Sequence, residues 1–330
     1  MKGIIEKLIA GQHLSAAEME QAFDRIMSGQ INDVQIGGFL TALRIKGETP
    51  EEIETAARVM RKRALEVKTG YDTVVDTCGT GGDGASTFNI STAVAFIIAG
   101  AGYKVAKHGN RSVSSSSGSA DCLEALGVPI NLGPEEALKA LDANGFCFLF
   151  APAYHPSMKH AMPARKQLGI RTIFNTLGPL ANPAGATNQV IGVYASSLID
   201  PIIEALRNMG LKGAMVVHSG LDEVSISGPT RYARLADGRI VKGEITPEAA
   251  GLAPMSTEEL KVSSPQESAR KIRDLFEGRL EGACLNSLLM NAAAAFMALN
   301  GAVGIKDGMA LARKVISSGQ ALSALERARA

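Results

Sequence analysis

The stretch Thr73-Val-Val-Asp76-Thr-Cys-Gly79-Thr80-Gly81-Gly82-Asp83-Gly84 decides how this chain is read. A short apolar run ends in a cluster of glycines, and a helix is expected to begin near Asn89. Glycines at 79, 81, 82 and 84 let the backbone turn sharply and present bare N–H groups to an anion. The helix start Asn89-Ile90-Ser91-Thr92 adds hydroxyls and the positive end of a helix dipole, which suits a phosphate. A tight turn with no ligand is the bland alternative. The loop is not a Walker A motif, which would end in Gly-Lys-Ser/Thr. Gly79-x-Gly81-x-x-Gly84 matches the dinucleotide fingerprint in form only. The acidic residue expected about 20 positions on is absent, and the next strand ends in Lys107.

Outward from this stretch, apolar runs at residues 73–77, 103–106, 146–151, 189–194 and 214–218 alternate with helical segments. Such alternation predicts an α/β fold with a mostly parallel central sheet covered by helices. Residues 231–235 and 239–242, joined through Asp237-Gly238, read as a hairpin interrupting the alternation. The first 68 residues read instead as short amphipathic helices. Ser15-Ala-Ala-Glu18 is a capping box ahead of Met19, Ala22, Phe23 and Ile26. Asp33 is expected to cap a third helix ending at Gly47. Thr49-Pro50-Glu51-Glu52 opens a fourth, with Ile53, Ala56, Ala57, Met60 and Ala64 as its apolar stripe. The expected organisation is a small all-helical domain over 1–70, joined by a segment near 160–186, and a large α/β domain over 71–330.

Composition narrows the function classes. The 330 residues carry 34 Lys+Arg against 33 Asp+Glu, a net charge of +1, so a general binder of nucleic-acid backbone is not expected. Cys78, Cys122, Cys147 and Cys284 lie far apart with no C-x-x-C, which suggests neither a zinc site nor a disulfide framework. That fits a reduced cytoplasmic compartment. Glu6 and Lys7 follow the start at once, so no signal peptide is read. Residues 282–305 are uncharged and long enough to span a bilayer, yet they contain Asn286, Ser287, Asn291 and Asn300 around an alanine run. A buried helix of a soluble protein is the expectation, with no membrane partner.

The second informative loop is Lys107-His108-Gly109-Asn110-Arg111-Ser112-Val113-Ser114-Ser115, with Ser116, Ser117, Gly118 and Ser119 following. In an open α/β sheet the carboxyl ends of the strands line the ligand crevice. Cations and hydroxyls there would grip a second anionic group.

Together with Phe88-Asn-Ile-Ser-Thr92, Ser119-Ala-Asp121, Phe150-Ala-Pro-Ala-Tyr-His-Pro156, Ile170-Arg-Thr-Ile-Phe-Asn175, Gly178-Pro-Leu-Ala-Asn-Pro183 and Gly220-Leu-Asp-Glu223, these segments resemble the anthranilate phosphoribosyltransferase family. The resemblance runs along nearly the whole chain in order. It implies a nucleoside phosphorylase/phosphoribosyltransferase-like fold, magnesium as cofactor, and a homodimer formed through the helical domain. It also implies that anthranilate's amine displaces pyrophosphate from 5-phosphoribosyl-1-pyrophosphate, a step of tryptophan biosynthesis. On that pattern Gly79, Gly82, Asp83, Thr87, Asn89, Ile90, Ser91 and Thr92 would hold the phosphosugar. Lys107, His108, Gly109, Asn110, Arg111, Ser112, Val113, Ser114, Ser115 and Ser119 would close over it. Asn110 and Arg165 would bind anthranilate, and Ser91, Asp222 and Glu223 would hold magnesium. Other members often carry a basic residue where this sequence has Ser116.

An aromatic amine is already unprotonated at neutral pH, so no strong general base is required. No Ser-His-Asp or paired-carboxylate constellation stands out, and no catalytic residue is assigned. A planar guanidinium at Arg165 would match a carboxylate in bidentate fashion. A pyrimidine nucleoside phosphorylase is the nearest rival, and a non-catalytic nucleic-acid-binding relative is another. The Asn-Ile-Ser-Thr and Asp-Glu elements favour a metal–pyrophosphate substrate over both.

Overall fold

The computed structural model describes residues 1–81, 84–112, 116–300 and 304–330. The chain opens with α1 (Lys2–Ile9), α2 (Ala16–Met27), α3 (Asp33–Lys46) and α4 (Pro50–Lys62). The Ser15/Glu18 and Thr49/Glu52 capping boxes both form, each satisfying helix N–H groups that would otherwise lack partners. The third helix departs from expectation. Asn32, not Asp33, is its cap, accepting from the Gln35 N–H at 2.9 Å. Asp33 becomes the first helical residue, where its charge faces the positive end of the dipole. Ala64 lies beyond the end of α4 instead of on its stripe. Glu52 does more than cap: buried, it meets the buried Lys46 ammonium at 2.6 Å and accepts from the Leu14 N–H at 2.9 Å.

The sheet contains β1 (Val74–Thr77), β2 (Lys104–Gly109), β3 (Phe146–Phe150), β4 (Asn188–Gly192), β5 (Gly213–His218), β6 (Thr230–Ala236) and β7 (Arg239–Ile245). Their order is β3-β2-β1-β4-β5-β6-β7 among the described residues. Pairings from β3 across to β5 are parallel, and β6 and β7 are antiparallel. The β6–β7 turn has Asp237 and Gly238 at φ +50° and +72°, the two left-handed positions of a tight hairpin turn. From β1 the chain winds outward to β2 and β3, then returns to place β4 on the other side. The loop after β1 therefore stands at the reversal of strand order, where open α/β sheets bind ligands.

Alternating residues feed different cores, as the two-residue period of a strand requires. Val75, Val105 and Met215 face one layer, with α5 (Ile90–Gly100) and the tail helices. Ile191, Ala214 and Val216 face α1 to α4 and later helices of the other layer. Between strands run α6 (Ser119–Ala125), α7 (Pro134–Asn144), α8 (Ala151–Tyr154), α9 (Met162–Leu168), α10 (Phe174–Leu180) and α11 (Ile199–Asn208). Ala164 of α9 and Phe174 and Leu177 of α10 join the core of the opening helices.

The tail forms α12 (Pro265–Phe276), α13 (Gly282–Ala298), α14 (Ile305–Ser317) and α15 (Gln320–Ala328). The uncharged stretch becomes α13, with Ala292 to Ala295 fully buried. A Cβ on Gly308 would lie 2.7 Å from Ala293, so glycine allows α13 and α14 to touch. Among the described residues no helix is long and apolar enough to cross a membrane.

Candidate active site

Three strand ends and one helix start meet at a small pocket. Thr77 and Gly79 come from β1 and its loop, Ser91 from the first turn of α5, and Gly192 from the end of β4. Asp222 and Glu223 arrive from the segment after β5. The glycine loop is anchored where Thr80 donates its N–H and hydroxyl to the Gly192 carbonyl, at 2.8 and 3.2 Å. Gly81, at φ +67°, turns its N–H to Asp222 Oδ2 at 2.8 Å. Gly192 has its own reason to lack a side chain: a Cβ there would overlap the Asp222 carbonyl.

Lys107 enters this pocket's wall from below. Its ammonium is buried and donates to the Thr77 carbonyl, with the Ser91 hydroxyl at 3.3 Å. The carboxylate of Asp76 is buried one residue before Thr77 and accepts from the His108 N–H and from Asn182 Nδ2 at 3.1 and 2.7 Å. Burial pushes Asp76 up to about 6, against the pull of the Lys107 charge and these hydrogen bonds.

Asn89 and Thr87 prove to be ties within the frame. Thr87 pairs with Lys261 in an isolated antiparallel bridge. Asn89 stands at the N-cap of α5, but its side chain caps nothing. It donates to the Ser117 carbonyl at 3.0 Å, while its Oδ1 accepts from the Ser117 and Ser268 hydroxyls at 2.6 and 2.7 Å. Ile90 and Thr92 are buried, and the Ser116 hydroxyl donates to the Val262 carbonyl at 2.7 Å. The segments after β1 and β2 are thus laced together and to the 260–262 segment.

Farther along β2 the second loop begins. Gly109 has no room for a Cβ beside Ser119 and Phe148. Asn110 Oδ1 accepts from the Arg111 N–H at 2.8 Å, and its carbonyl accepts from the Ser119 hydroxyl at 3.2 Å. Arg111 pairs with Asp121 and Glu124 at 2.8 and 2.6 Å, so two carboxylates already match its charge. The Ser112 N–H donates to Asp121 Oδ2 at 3.0 Å. Gly82, Asp83, Val113, Ser114 and Ser115 lie outside the described residues.

Arg165 and His108 are linked through α10. The Arg165 guanidinium lies 5.1 Å over the Phe174 ring, and His108 Nδ1 is 3.0 Å from the Gly178 carbonyl. Phe174 and Gly178 are four apart, so they share one face of α10. Burial lowers Arg165 from its usual range. The His108 and His155 rings stand 5.1 Å apart. Burial pushes His108 down to about 3, with His155 adding to it, and pushes His155 down to about 4. Both are neutral imidazoles at neutral pH.

Gly192 and Asn291 line the pocket without belonging to any of the quoted motifs. For Asn291 the available signal was an amide in the apolar stretch 282–305, shared with Asn286 and Asn300, because a buried amide needs partners. Gly192 carries no such signal, since its role is a close approach made only in three dimensions.

The pocket's donor set suits a small hard cation. Ser91, Asp222 and Glu223 offer oxygen only, and magnesium takes one or two carboxylates while keeping places for water and substrate phosphates. Among the described residues no three His, Cys, Asp or Glu side chains gather into a cage.

Comparison with known proteins gives a consistent result. Residues 71–322 match the "Glycosyl transferase family, a/b domain", and residues 2–64 match the "Glycosyl transferase family, helical bundle domain". The anthranilate phosphoribosyltransferase of Petrotoga mobilis is 48% identical over 324 residues, covering 98% of this chain and 94% of its own length. The crystal structure of anthranilate phosphoribosyltransferase from Thermus thermophilus superposes with a TM-score of 0.93 at 41% identity, covering 99% of this chain and 98% of the other. The Saccharomyces cerevisiae enzyme in complex with PRPP and Mg gives 0.89 at 30% identity, covering 98% and 95%.

Proposed function

The chain belongs to the anthranilate phosphoribosyltransferase family, and from that premise we propose that it transfers the phosphoribosyl group of 5-phosphoribosyl-1-pyrophosphate to anthranilate in tryptophan biosynthesis. The products are N-(5-phosphoribosyl)anthranilate and pyrophosphate. The observation that carries this reading is the meeting of Gly79, Ser91, Asp222 and Glu223, distant in sequence, in one pocket at the strand-order reversal.

The amine lone pair of anthranilate forms the N–C1 bond as the C1–O bond breaks, its electrons leaving with pyrophosphate. The amine's surplus proton passes to water. The glycine loop and the start of α5 receive the phosphates with backbone N–H groups and a positive dipole end. Lys107, buried beneath Ser91, supplies positive potential in a dry wall, where charge acts more strongly than in water. Magnesium, held by Ser91, Asp222 and Glu223, would offset negative charge on the departing pyrophosphate. Arg165, kept rigid over Phe174, would take the anthranilate carboxylate, with His108 and Asn110 beside it. Arg111 would tie the start of its loop to α6 through Asp121 and Glu124. Catalysis is positioning and charge stabilisation. An acidic pair in the pocket argues against a phosphorylase, whose inorganic phosphate would be repelled there.

The proposal extends to architecture. Residues 1–70 with 160–186 act as one helical unit against the α/β unit of 71–330, as the core shared by α1 to α4, α9 and α10 supports. Ile9, Val34 and Ile45 expose 73%, 84% and 81% of their surface beside a groove of α1, α3 and α9, a face suited to a second copy. That face supports reading the chain as a homodimer, and the cytoplasm is the compartment proposed for it. Pure protein mixed with anthranilate, 5-phosphoribosyl-1-pyrophosphate and magnesium should lose anthranilate fluorescence, and omission of any one should stop the loss. Turnover of thymidine or uridine with phosphate, and none of anthranilate, would overturn the reading.

A further inference from the structure

We propose that Asn291 is a positioning residue for the metal side of the pocket, holding the Asp222-Glu223 turn at the height where its carboxylates meet a magnesium-bound pyrophosphate. This rests on the reading of that pair as magnesium ligands. Asn291 sits on α13, whose buried face is apolar apart from Ser287 and itself, and is 4% exposed. Its amide grips the residue after Glu223 at two points. Val224 N–H donates to Asn291 Oδ1 at 2.8 Å, and Asn291 Nδ2 donates to the Val224 carbonyl at 2.9 Å. A second Nδ2 bond, to the Ser287 carbonyl at 2.9 Å, sets the rotamer.

The clamp copies the paired bonds of an antiparallel ladder, with a side-chain amide from a helix in place of a strand. On its other side the turn rests on Gly192, without space for a Cβ, and Ser219 donates its hydroxyl to the Glu223 carbonyl at 2.8 Å. The turn is therefore pinned between β4 and α13, and Asn291 also lines the pocket. A core position filled for packing alone would favour leucine or alanine, because a buried amide gains nothing there without partners. The two bonds to Val224 locate the side chain's purpose at the turn.

The test measures binding, by calorimetry, of 5-phosphoribosyl-1-pyrophosphate across a magnesium series, with no anthranilate and no turnover. Asn291→Ala should need about 10- to 100-fold more magnesium for half-maximal binding, the usual cost of losing a residue that orients metal ligands. Anthranilate affinity should stay unchanged, and Ser287→Ala, one helical turn away, should bind like the parent. In a chain carrying Asp222→Asn and Glu223→Gln, adding Asn291→Ala should change magnesium dependence no further. If the acidic-pair variant itself binds like the parent, the metal reading fails. If that variant is weakened but Asn291→Ala is not, the positioning role alone is refuted. Should Asn291→Ala not fold, Asn291→Asp keeps the shape and removes the donors; parental magnesium dependence in it would equally refute the role, and a weakened one would support it.

Discussion

Replacing Arg165 by alanine should separate the two substrates. The guanidinium lies 5.1 Å over the Phe174 ring and donates to Met162 Sδ at 3.6 Å. A guanidinium carries five N–H donors in a planar fork, the geometry that matches a planar carboxylate. Losing a charge-assisted bidentate contact costs about 1.5–3 kcal/mol, or roughly ten- to a hundred-fold in Kd. Loss of the contact with Phe174 adds about 0.5–1 kcal/mol to the stability cost, which a melting curve would show separately. The glycine loop and Ser91 are held by bonds that do not involve α9, so phosphosugar affinity should change little. Arg165→Lys should recover only part of the loss, because an ammonium presents one charge without the planar fork. Calorimetric titration of each variant with anthranilate, and separately with magnesium and the phosphosugar, reads both numbers. Unchanged anthranilate affinity in the alanine variant would refute the placement of the acceptor pocket beside α10.

Gly192→Ala should displace the Asp222 turn, because a Cβ there overlaps its carbonyl; a shift of about 1 Å at a reacting centre can cost ~100-fold, so kcat should fall sharply. Lys46→Met strands the buried Glu52 carboxylate and should lower stability by about 3 kcal/mol in denaturant unfolding, leaving turnover in the folded fraction unaltered. The pH dependence of stability has a worked sign for the imidazoles. His108 and His155 sit at about 3 and about 4 when folded against 6.5 when unfolded, so the unfolded chain binds more protons between those values. Their contribution is full above pH ~6.5 and is lost as pH falls toward about 4. Asp76, raised to about 6, works in the opposite direction between pH ~4 and 6. His155→Gln should therefore flatten the acid-side fall of Tm, and an identical slope in both proteins would count against the buried neutral ring.

The parallel part of the sheet was legible because β1, β3 and β5 are short, mostly apolar runs separated by helical segments. The Asp237-Gly238 turn announced its hairpin with the two residue types that tolerate positive φ. The third helix misled because Asn32 and Asp33 are both good caps, and only the Gln35 bond chooses between them. Ser91, Asp222 and Glu223 could be singled out because their chemistry shows in the side chain, and the fold gathers them in one pocket. Motif reading could not see that Asn89 spends its polar atoms on Ser117 and Ser268, or that Arg111 is matched by Asp121 and Glu124. Those partners are brought together by folding. Gly192 meets the Asp222 turn through a backbone approach made only by folding, and Asn291 shows in the sequence as a polar residue in an apolar stretch without naming the turn it bonds.

The central claim is that the acidic turn at the strand-order reversal serves a magnesium-dependent phosphoribosyl transfer to anthranilate. Its most direct test is the initial rate of anthranilate fluorescence loss against magnesium concentration, in the parent and in the chain carrying Asp222→Asn with Glu223→Gln. Both substitutions keep side-chain shape and remove charge, so the fold should survive while the rate collapses and is partly restored by excess magnesium. Superimposable curves for the two proteins would contradict the account.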